Sequence, residues 1–250
     1  MLIARFMHNG KIAYGFVEGS TIRLARGELF SGLSATSEVA PIESVKLLPP
    51  VVPGKAVCVG VNYRAHASEF GHEVPKAPIL FIKPSTALIG PGDAIVRPSI
   101  SKRVDFEAEL TVVIGARARF VPASKFKEYV LGYTCGNDVT ARDLQPKDGQ
   151  WTVAKGFDTF MPLGPWIATD LDPADLRLRA ILNGETKQDS RTSNLIFSVP
   201  QLIEYISSVM TLEPGDVIMT GTPSGVAPLA KGDSIVVEIE GIGALRNIVD

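Results

Sequence analysis

Three carboxylates alternate along Val104-Asp105-Phe106-Glu107-Ala108-Glu109-Leu110, and the chain then enters the β-branched stretch Thr111-Val112-Val113-Ile114. A strand turns successive side chains to opposite faces, so Asp105, Glu107 and Glu109 are expected on one side. The run that follows reads as a buried strand rather than a solvated ribbon. Two carboxylates brought to ~4 Å repel by about 4 kcal/mol at an effective dielectric near 20. Either that face is wet, or something positive sits between the carboxylates. Oxygen ligands with no cysteine or histidine beside them suit a hard divalent ion, Mg²⁺ or Mn²⁺, better than zinc. From the spacing alone both readings stand.

The surrounding sequence favours short strands. Asn9-Gly10 separates two strand-like runs and signals a hairpin. Residues 55–59, 79–82, 217–220, 234–239 and 244–249 read as strands, and 176–182 alternates apolar with charged residues before turning at Asn183-Gly184. Helices are few. The clearest covers 199–210, with Ser198 as N-cap and Val199, Leu202, Ile203, Ile206 and Met210 at helical spacing. A shorter one is expected over 124–130. This pattern points to an α+β, mostly-β chain built as a sandwich roll or barrel, not a parallel α/β sheet. The cluster Leu48-Pro49-Pro50-Val51-Val52-Pro53 places a boundary near residue 48, between a small N-terminal β module (1–48) and a larger domain (49–250).

Several function classes are disfavoured. A net charge of -2 gives no reason to expect nucleic acid or an anionic membrane. The sequence has no apolar run of transmembrane length and no signal-peptide layout, and its two cysteines, Cys58 and Cys135, form no disulfide framework, so a cytoplasmic protein is expected. Gly-x-Gly-x-x-Gly, the Walker lysine loop, Gly-x-Ser-x-Gly and His-Glu-x-x-His are all absent.

His8 falls in the hairpin turn and needs no function. His66 and Glu69 are three residues apart, so one helical turn would set a carboxylate against an imidazole, orienting it and raising its pKa. A surface turn with an ordinary ion pair explains the same spacing. His72 is expected in solvent. Lys155 is expected on a strand face shared with Trp151 and Val153, where an unpaired ammonium would be costly.

Cys58-Val-Gly-x-Asn-Tyr-x-x-His66, Phe81-Ile-Lys-Pro-Ser85, Asp105-x-Glu107-x-Glu109, Gly132-Tyr-Thr-Cys-Gly-Asn-Asp138, Ala141-Arg-Asp-Leu-Gln145, Lys155-Gly-Phe-Asp-Thr and Thr220-Gly-Thr-Pro-Ser-Gly225 follow one another in order. Together with Ile181-Leu-Asn-Gly-Glu185, Ile196-Phe-Ser and Leu212-Glu-Pro-Gly-Asp216, they resemble the fumarylacetoacetate hydrolase family over roughly residues 50 to 249. The pattern is similar to that of its short bacterial acylpyruvase, oxaloacetate decarboxylase and 2-hydroxyhepta-2,4-diene-1,7-dioate isomerase branch. The longer N-terminal domain of the animal-type fumarylacetoacetases is not expected here, so the resemblance does not imply that particular reaction.

The resemblance implies a mixed β-sandwich roll, a homodimer, and one Mg²⁺ or Mn²⁺ on Glu107, Glu109 and Asp138. It further implies His66 and Glu69 as a water-activating pair on a lid, and Lys155 as a catalytic cation. Gln145, Thr222 and Arg142 would contact substrate, although Arg142 and Asp143 could equally form an ion pair supporting Asp138. Val61 stands where relatives often carry leucine or arginine, which leaves substrate choice open. The implied substrates are 2-oxo acids. The favoured reaction is C–C bond cleavage through a metal-stabilised enolate, as an acylpyruvate hydrolase or oxaloacetate decarboxylase. The alternative is an isomerase or decarboxylase of aromatic catabolism acting on a 2-hydroxyhepta-2,4-diene-1,7-dioate or 5-oxopent-3-ene-1,2,5-tricarboxylate. A non-catalytic metal-binding subunit is the least favoured reading.

Overall fold

Asn9 and Gly10, both at positive φ (49° and 74°), close a tight hairpin between β1 (Leu2–His8) and β2 (Lys11–Glu18), the turn an Asn-Gly pair favours. β3 (Thr21–Glu28) and β4 (Gly32–Pro41) extend the meander. The computed structural model describes residues 1–69, 71, 73–147 and 149–250, so the expectation for His72 lies outside the described residues. The later strands are β5 (Ala56–Gly60), β6 (Ile79–Lys83), β7 (Ala108–Ile114), β8 (Val130–Asn137), β9 (Met161–Ala168), β10 (Arg177–Leu182), β11 (Glu185–Arg191), β12 (Val217–Met219), β13 (Ser234–Ile239) and β14 (Gly243–Val249).

One large sheet runs in the order β4-β3-β2-β1-β9-β8-β7-β12-β5-β6. It is mixed, because β12 and β5 pair in parallel while their neighbours are antiparallel. β1 pairs with β9, so the N-terminal meander and the rest of the chain share this sheet. A second sheet, β11-β10-β13-β14, gains a short parallel strand, Ala94–Ile95. The large sheet ends in β4 and β6, which do not pair with each other, so the chain is mostly β with mixed sheets rather than a closed barrel.

β7 explains its own composition. Leu110, Val112 and Ile114 pack into a core with Leu178, Val237 and Ile239 of the second sheet. Val113, on the opposite face, packs with Cys58, Val217 and Met219. A strand buried on both faces needs a continuous apolar run rather than alternation. Glu109 and Thr111 share the Val113 face, which brings the carboxylate to the end of the strand where that second core runs out.

The helix α3 (Val199–Val209) starts where expected, with the Gln201 side chain accepting the Ser198 N–H at 2.9 Å. Its buried stripe is Val199, Leu202, Ile203 and Ile206, each large side chain contributing about 1.5–3 kcal/mol of burial. The helix expected over 124–130 is instead a 3-10 run, Ala123–Glu128, and Val130 already belongs to β8. Two short helices, α1 (Arg64–Glu69) and α2 (Thr152–Lys155), flank the acidic end of β7. No helix among the described residues is long and apolar enough to cross a membrane.

Candidate metal centre

The strand expected through 105–109 breaks before Glu107. Val104–Asp105 pairs with Thr140–Ala141 in a separate two-stranded ladder, and β7 begins only at Ala108. The break is satisfied locally: Phe106 donates to the Ala227 carbonyl, and Glu107 N–H donates to Asn137 Oδ1 at 2.9 Å. Asp105 therefore does not join Glu107 and Glu109 as a third carboxylate. It accepts from Arg103 and Arg142, each at 2.9 Å.

The third carboxylate comes from the neighbouring strand. Ala108 lies opposite Asn137, so Asp138, just past β8, falls beside Glu107 and donates its N–H to the Glu107 carbonyl at 2.9 Å. One oxygen from each of Glu107, Glu109 and Asp138 lies within 4.8 Å of the others, and all three residues are buried. Glu109 Oε2 accepts the Gly221 N–H at 2.7 Å. Gly221 sits at φ 100°, and a Cβ there would fall 2.7 Å from Asn62 Cβ, so only glycine brings this donor to the carboxylate.

Three cations answer these charges. Lys155 Nζ bridges Glu107 Oε2 (2.8 Å) and Asp138 Oδ2 (2.6 Å), while Lys83 Nζ reaches Asp138 Oδ1 (2.5 Å) and the Val139 carbonyl (3.0 Å). Arg142 spreads its fork over Asp105, Glu107 and the Gln145 side chain. It is the Arg142–Asp105–Glu107 network that forms; Asp143 instead accepts from Ser101 and the Lys102 and Arg103 amides. Burial pushes the Glu107 carboxyl up, but Lys155 and Arg142 outweigh it and hold the group well below the usual carboxylate range. Burial pushes Glu109 strongly up, and the nearby Asp138 and Glu107 charges add to the effect. For Lys155, burial is outweighed by Asp138 and Glu107, which raise its pKa.

Lys155 does not lie on a strand. It closes the helical turn α2, where Val153 is exposed and Lys155 is buried. The four residues 152–155 are too few for periodicity to separate a strand from a helical turn.

His66 sits on α1, its Nδ1 3.0 Å from Glu69 Oε2, and Glu69 Oε1 accepts the Gly225 N–H at 3.1 Å. The carboxylate was expected to raise the imidazole pKa. Burial lowers it instead, outweighing the fields of Glu107 and Glu69. The base of α1 is clamped by Asn62, whose side chain donates to the Phe197 and Thr220 carbonyls and accepts the Phe197 N–H.

A cleft opens over the carboxylates and gathers eight of the residues singled out in the sequence: Glu107, Glu109, Asp138, His66, Lys155, Arg142, Gln145 and Thr222. Glu69 supports His66 from outside it. Part of the wall is apolar. Trp151 packs over Gly60, where a Cβ would come within 2.3 Å of its ring, and meets Phe81 edge-on at 5.3 Å. Val61 lines the cleft at φ 54°, a conformation costing a β-branched residue of order 1–3 kcal/mol.

Three contributors have no role in the sequence reading: Lys83, Asn137 and Gln188. Gln188 accepts the Ala108 N–H and donates to Thr222 Oγ1 and the Pro223 carbonyl, tying β11 to the 220–225 loop. A lysine ending an apolar strand just before Pro84 was the available signal for Lys83.

The donor set fits a hard divalent cation. It is all oxygen, buried and pre-assembled. Four carboxylates (Asp105, Glu107, Glu109 and Asp138) face four cations (Lys83, Lys155, Arg142 and the part-exposed Arg103), and Glu109 is the carboxylate whose charge burial and its acidic neighbours oppose.

Residues 55–250 match the C-terminal domain of fumarylacetoacetate (FAA) hydrolase, and residues 1–50 match the Rv2993c-like N-terminal region. The mitochondrial oxaloacetate tautomerase Fahd2a of Rattus norvegicus is 42% identical over 87% of this chain and 73% of its own length. A crystal structure of the 2-hydroxyhepta-2,4-diene-1,7-dioate isomerase from Mycobacterium marinum is 45% identical, covering 100% of this chain and 98% of that one, with a TM-score of 0.93. The maleylpyruvate hydrolase of Sphingobium sp. SYK-6, solved with manganese(II) and pyruvate, is 32% identical, covering 100% and 98% of the two chains, with a TM-score of 0.82.

Proposed function

This chain belongs to the fumarylacetoacetate hydrolase family, and we propose that it is a divalent-metal-dependent enzyme that interconverts the enol and keto forms of a small 2-oxo acid. The observation that carries the reading is a buried, carboxylate-oriented imidazole sharing one cleft with a buried acidic triad. Glu107, Glu109 and Asp138 would hold Mg²⁺ or Mn²⁺. A cation there would supply Lewis-acid stabilisation of enolate charge on a 2-oxo carboxylate. The cations beside the triad support that head group: Lys155 and Arg142 line the cleft, and a divalent ion would add further positive charge for a bound carboxylate.

The chain's own residues supply the rest. Glu69 only accepts hydrogen bonds, so it fixes the proton on His66 Nδ1 and leaves Nε2 as the acceptor. With its pKa lowered by burial, His66 stays unprotonated near neutral pH and can take a proton from the carbon next to the 2-oxo group and return it. Lys155, the cation lining the cleft between Glu107 and Asp138, would neutralise the substrate carboxylate or enolate oxygen. Gln145 and Thr222 offer polar contacts in the cleft, and Phe81, with the Lys155 ammonium 5.0 Å from its ring centre, and Trp151 give it aromatic surface.

The tautomerase and isomerase names among relatives at 42–45% identity support proton transfer over C–C cleavage. Cleavage is the second reading. The hydrolase relative and the same His66–Glu69 pair, which could activate water instead, support it. The separating experiment offers Mn²⁺-loaded protein enol-oxaloacetate, oxaloacetate and acetylpyruvate in turn. Fast ketonisation without pyruvate or acetate release supports the isomerase. Acetate release from acetylpyruvate, lost in His66→Ala, would replace it with a hydrolase.

A further inference from the structure

The centre contains two buried lysines in different settings. Lys155 lines the cleft and is shared between Glu107 and Asp138, where an arriving substrate can meet it. Lys83 is fully buried, at 0% exposure. It ends β6 opposite Ala56 and directs its ammonium to Asp138 Oδ1 and the Val139 carbonyl. Each oxygen of Asp138 thus has its own lysine, Oδ2 on the cleft side and Oδ1 on the buried side.

Holding Asp138 in place needs only a donor. A full charge in that position does more. A buried ammonium is expensive to desolvate, and it repels any cation placed on the triad. Without Lys83 the centre would be one charge more negative, which favours a divalent ion on the triad and disfavours an anionic substrate beside it. With Lys83, the loaded centre is one charge more positive than it would be without it.

We infer that Lys83 is the charge-balancing residue of the centre: it weakens divalent-cation binding and in exchange strengthens anion binding to the loaded site, while touching neither. The inference rests on the metal assignment above and adds a positioning residue that acts through Asp138. At an effective dielectric near 20, unit charges several ångströms apart change a binding constant by more than about tenfold.

The test uses Lys83→Met, close in shape but neutral, and Lys83→Arg, which keeps the charge. Mn²⁺ is titrated calorimetrically into metal-free protein, and pyruvate then into Mn²⁺-saturated protein. Lys83→Met should bind Mn²⁺ at least tenfold tighter and pyruvate at least tenfold weaker. Lys83→Arg should stay within about threefold of wild type for both. Because the cation replaces the missing charge, Lys83→Met that is unstable without metal should fold in Mn²⁺, and a chelator competition then reads its affinity. Failure to fold even in Mn²⁺, or changes of the same sign for Mn²⁺ and pyruvate, would overturn the inference. So would two unchanged constants, with the metal reading left standing. Wild-type protein that binds no Mn²⁺ would overturn the metal reading itself.

Discussion

Replacing Glu109 with Gln should separate what the metal-free fold needs from what the centre needs. Glu109 is almost completely buried, and its carboxyl shares a 4.8 Å neighbourhood with Glu107 and Asp138. Like charges at that distance repel by about 3.5 kcal/mol per pair at an effective dielectric near 20, and Lys155 and the Gly221 N–H offset only part of this. Gln keeps an oxygen for Gly221 and presents its amide to the neighbouring carboxylates. Metal-free Glu109→Gln is therefore expected to gain about 2 kcal/mol at pH 7.5, roughly 4–8 °C in Tm for a chain of this size.

The gain has a definite pH dependence. Folding raises the Glu109 pKa, so its stabilising contribution is fully present below the unfolded value of about 4.3 and is lost as pH rises towards the folded one. Gln does not titrate, so the variant should overtake wild type progressively from pH 5 to pH 8. The assay is thermal unfolding of chelator-treated protein across that range, repeated with Mn²⁺. Wild type should gain stability from Mn²⁺ and the variant should not. A variant less stable than wild type without metal at pH 7.5, or one that binds Mn²⁺ equally well, would refute the reasoning.

Other outcomes follow from the same geometry. His66→Ala should slow proton transfer by about 10²–10⁴-fold while leaving Mn²⁺ affinity within twofold, checked by turnover and metal titration on one preparation. With the His66 pKa lowered by burial and that of Lys155 raised, the acid limb of kcat/KM should fall below the ordinary imidazole value of about 6.5; a limb above it would contradict His66 as the base. Gly60→Ala puts a methyl 2.3 Å from the Trp151 ring, so it should displace the indole, visible in tryptophan fluorescence, and raise KM more than it lowers kcat.

Local sequence carried a good part of the fold and the centre. Asn9-Gly10, Asn183-Gly184 and the Ser198 start of α3 are short-range instructions, satisfied by backbone conformation and capping wherever the segment packs. The apolar run after Glu109 required burial on both faces, and β7 has it. Where reading by periodicity failed, the segment was too short or interrupted. Lys155 ends a helical turn rather than a strand, residues 123–128 coil as 3-10, and Asp105 leaves the face of Glu107 because the ladder breaks between them.

What sequence alone determined was an inventory: a mostly-β chain with buried carboxylates of the type a hard cation takes, and an imidazole three residues from a glutamate. Which carboxylates share a point was settled by strand register, since the pairing of Ala108 with Asn137 brings Asp138 against Glu107 across 31 positions of sequence. The state of each group was settled by its surroundings. Glu107 and Glu109 are two residues apart on the same segment, yet one is held ionised by Lys155 and Arg142 while the other is driven towards its protonated form by burial and like charge. His66, expected to be made more basic by Glu69, is made less so by the packing around it. Such opposite outcomes arise from distances and desolvation, and only the folded chain brings those into being.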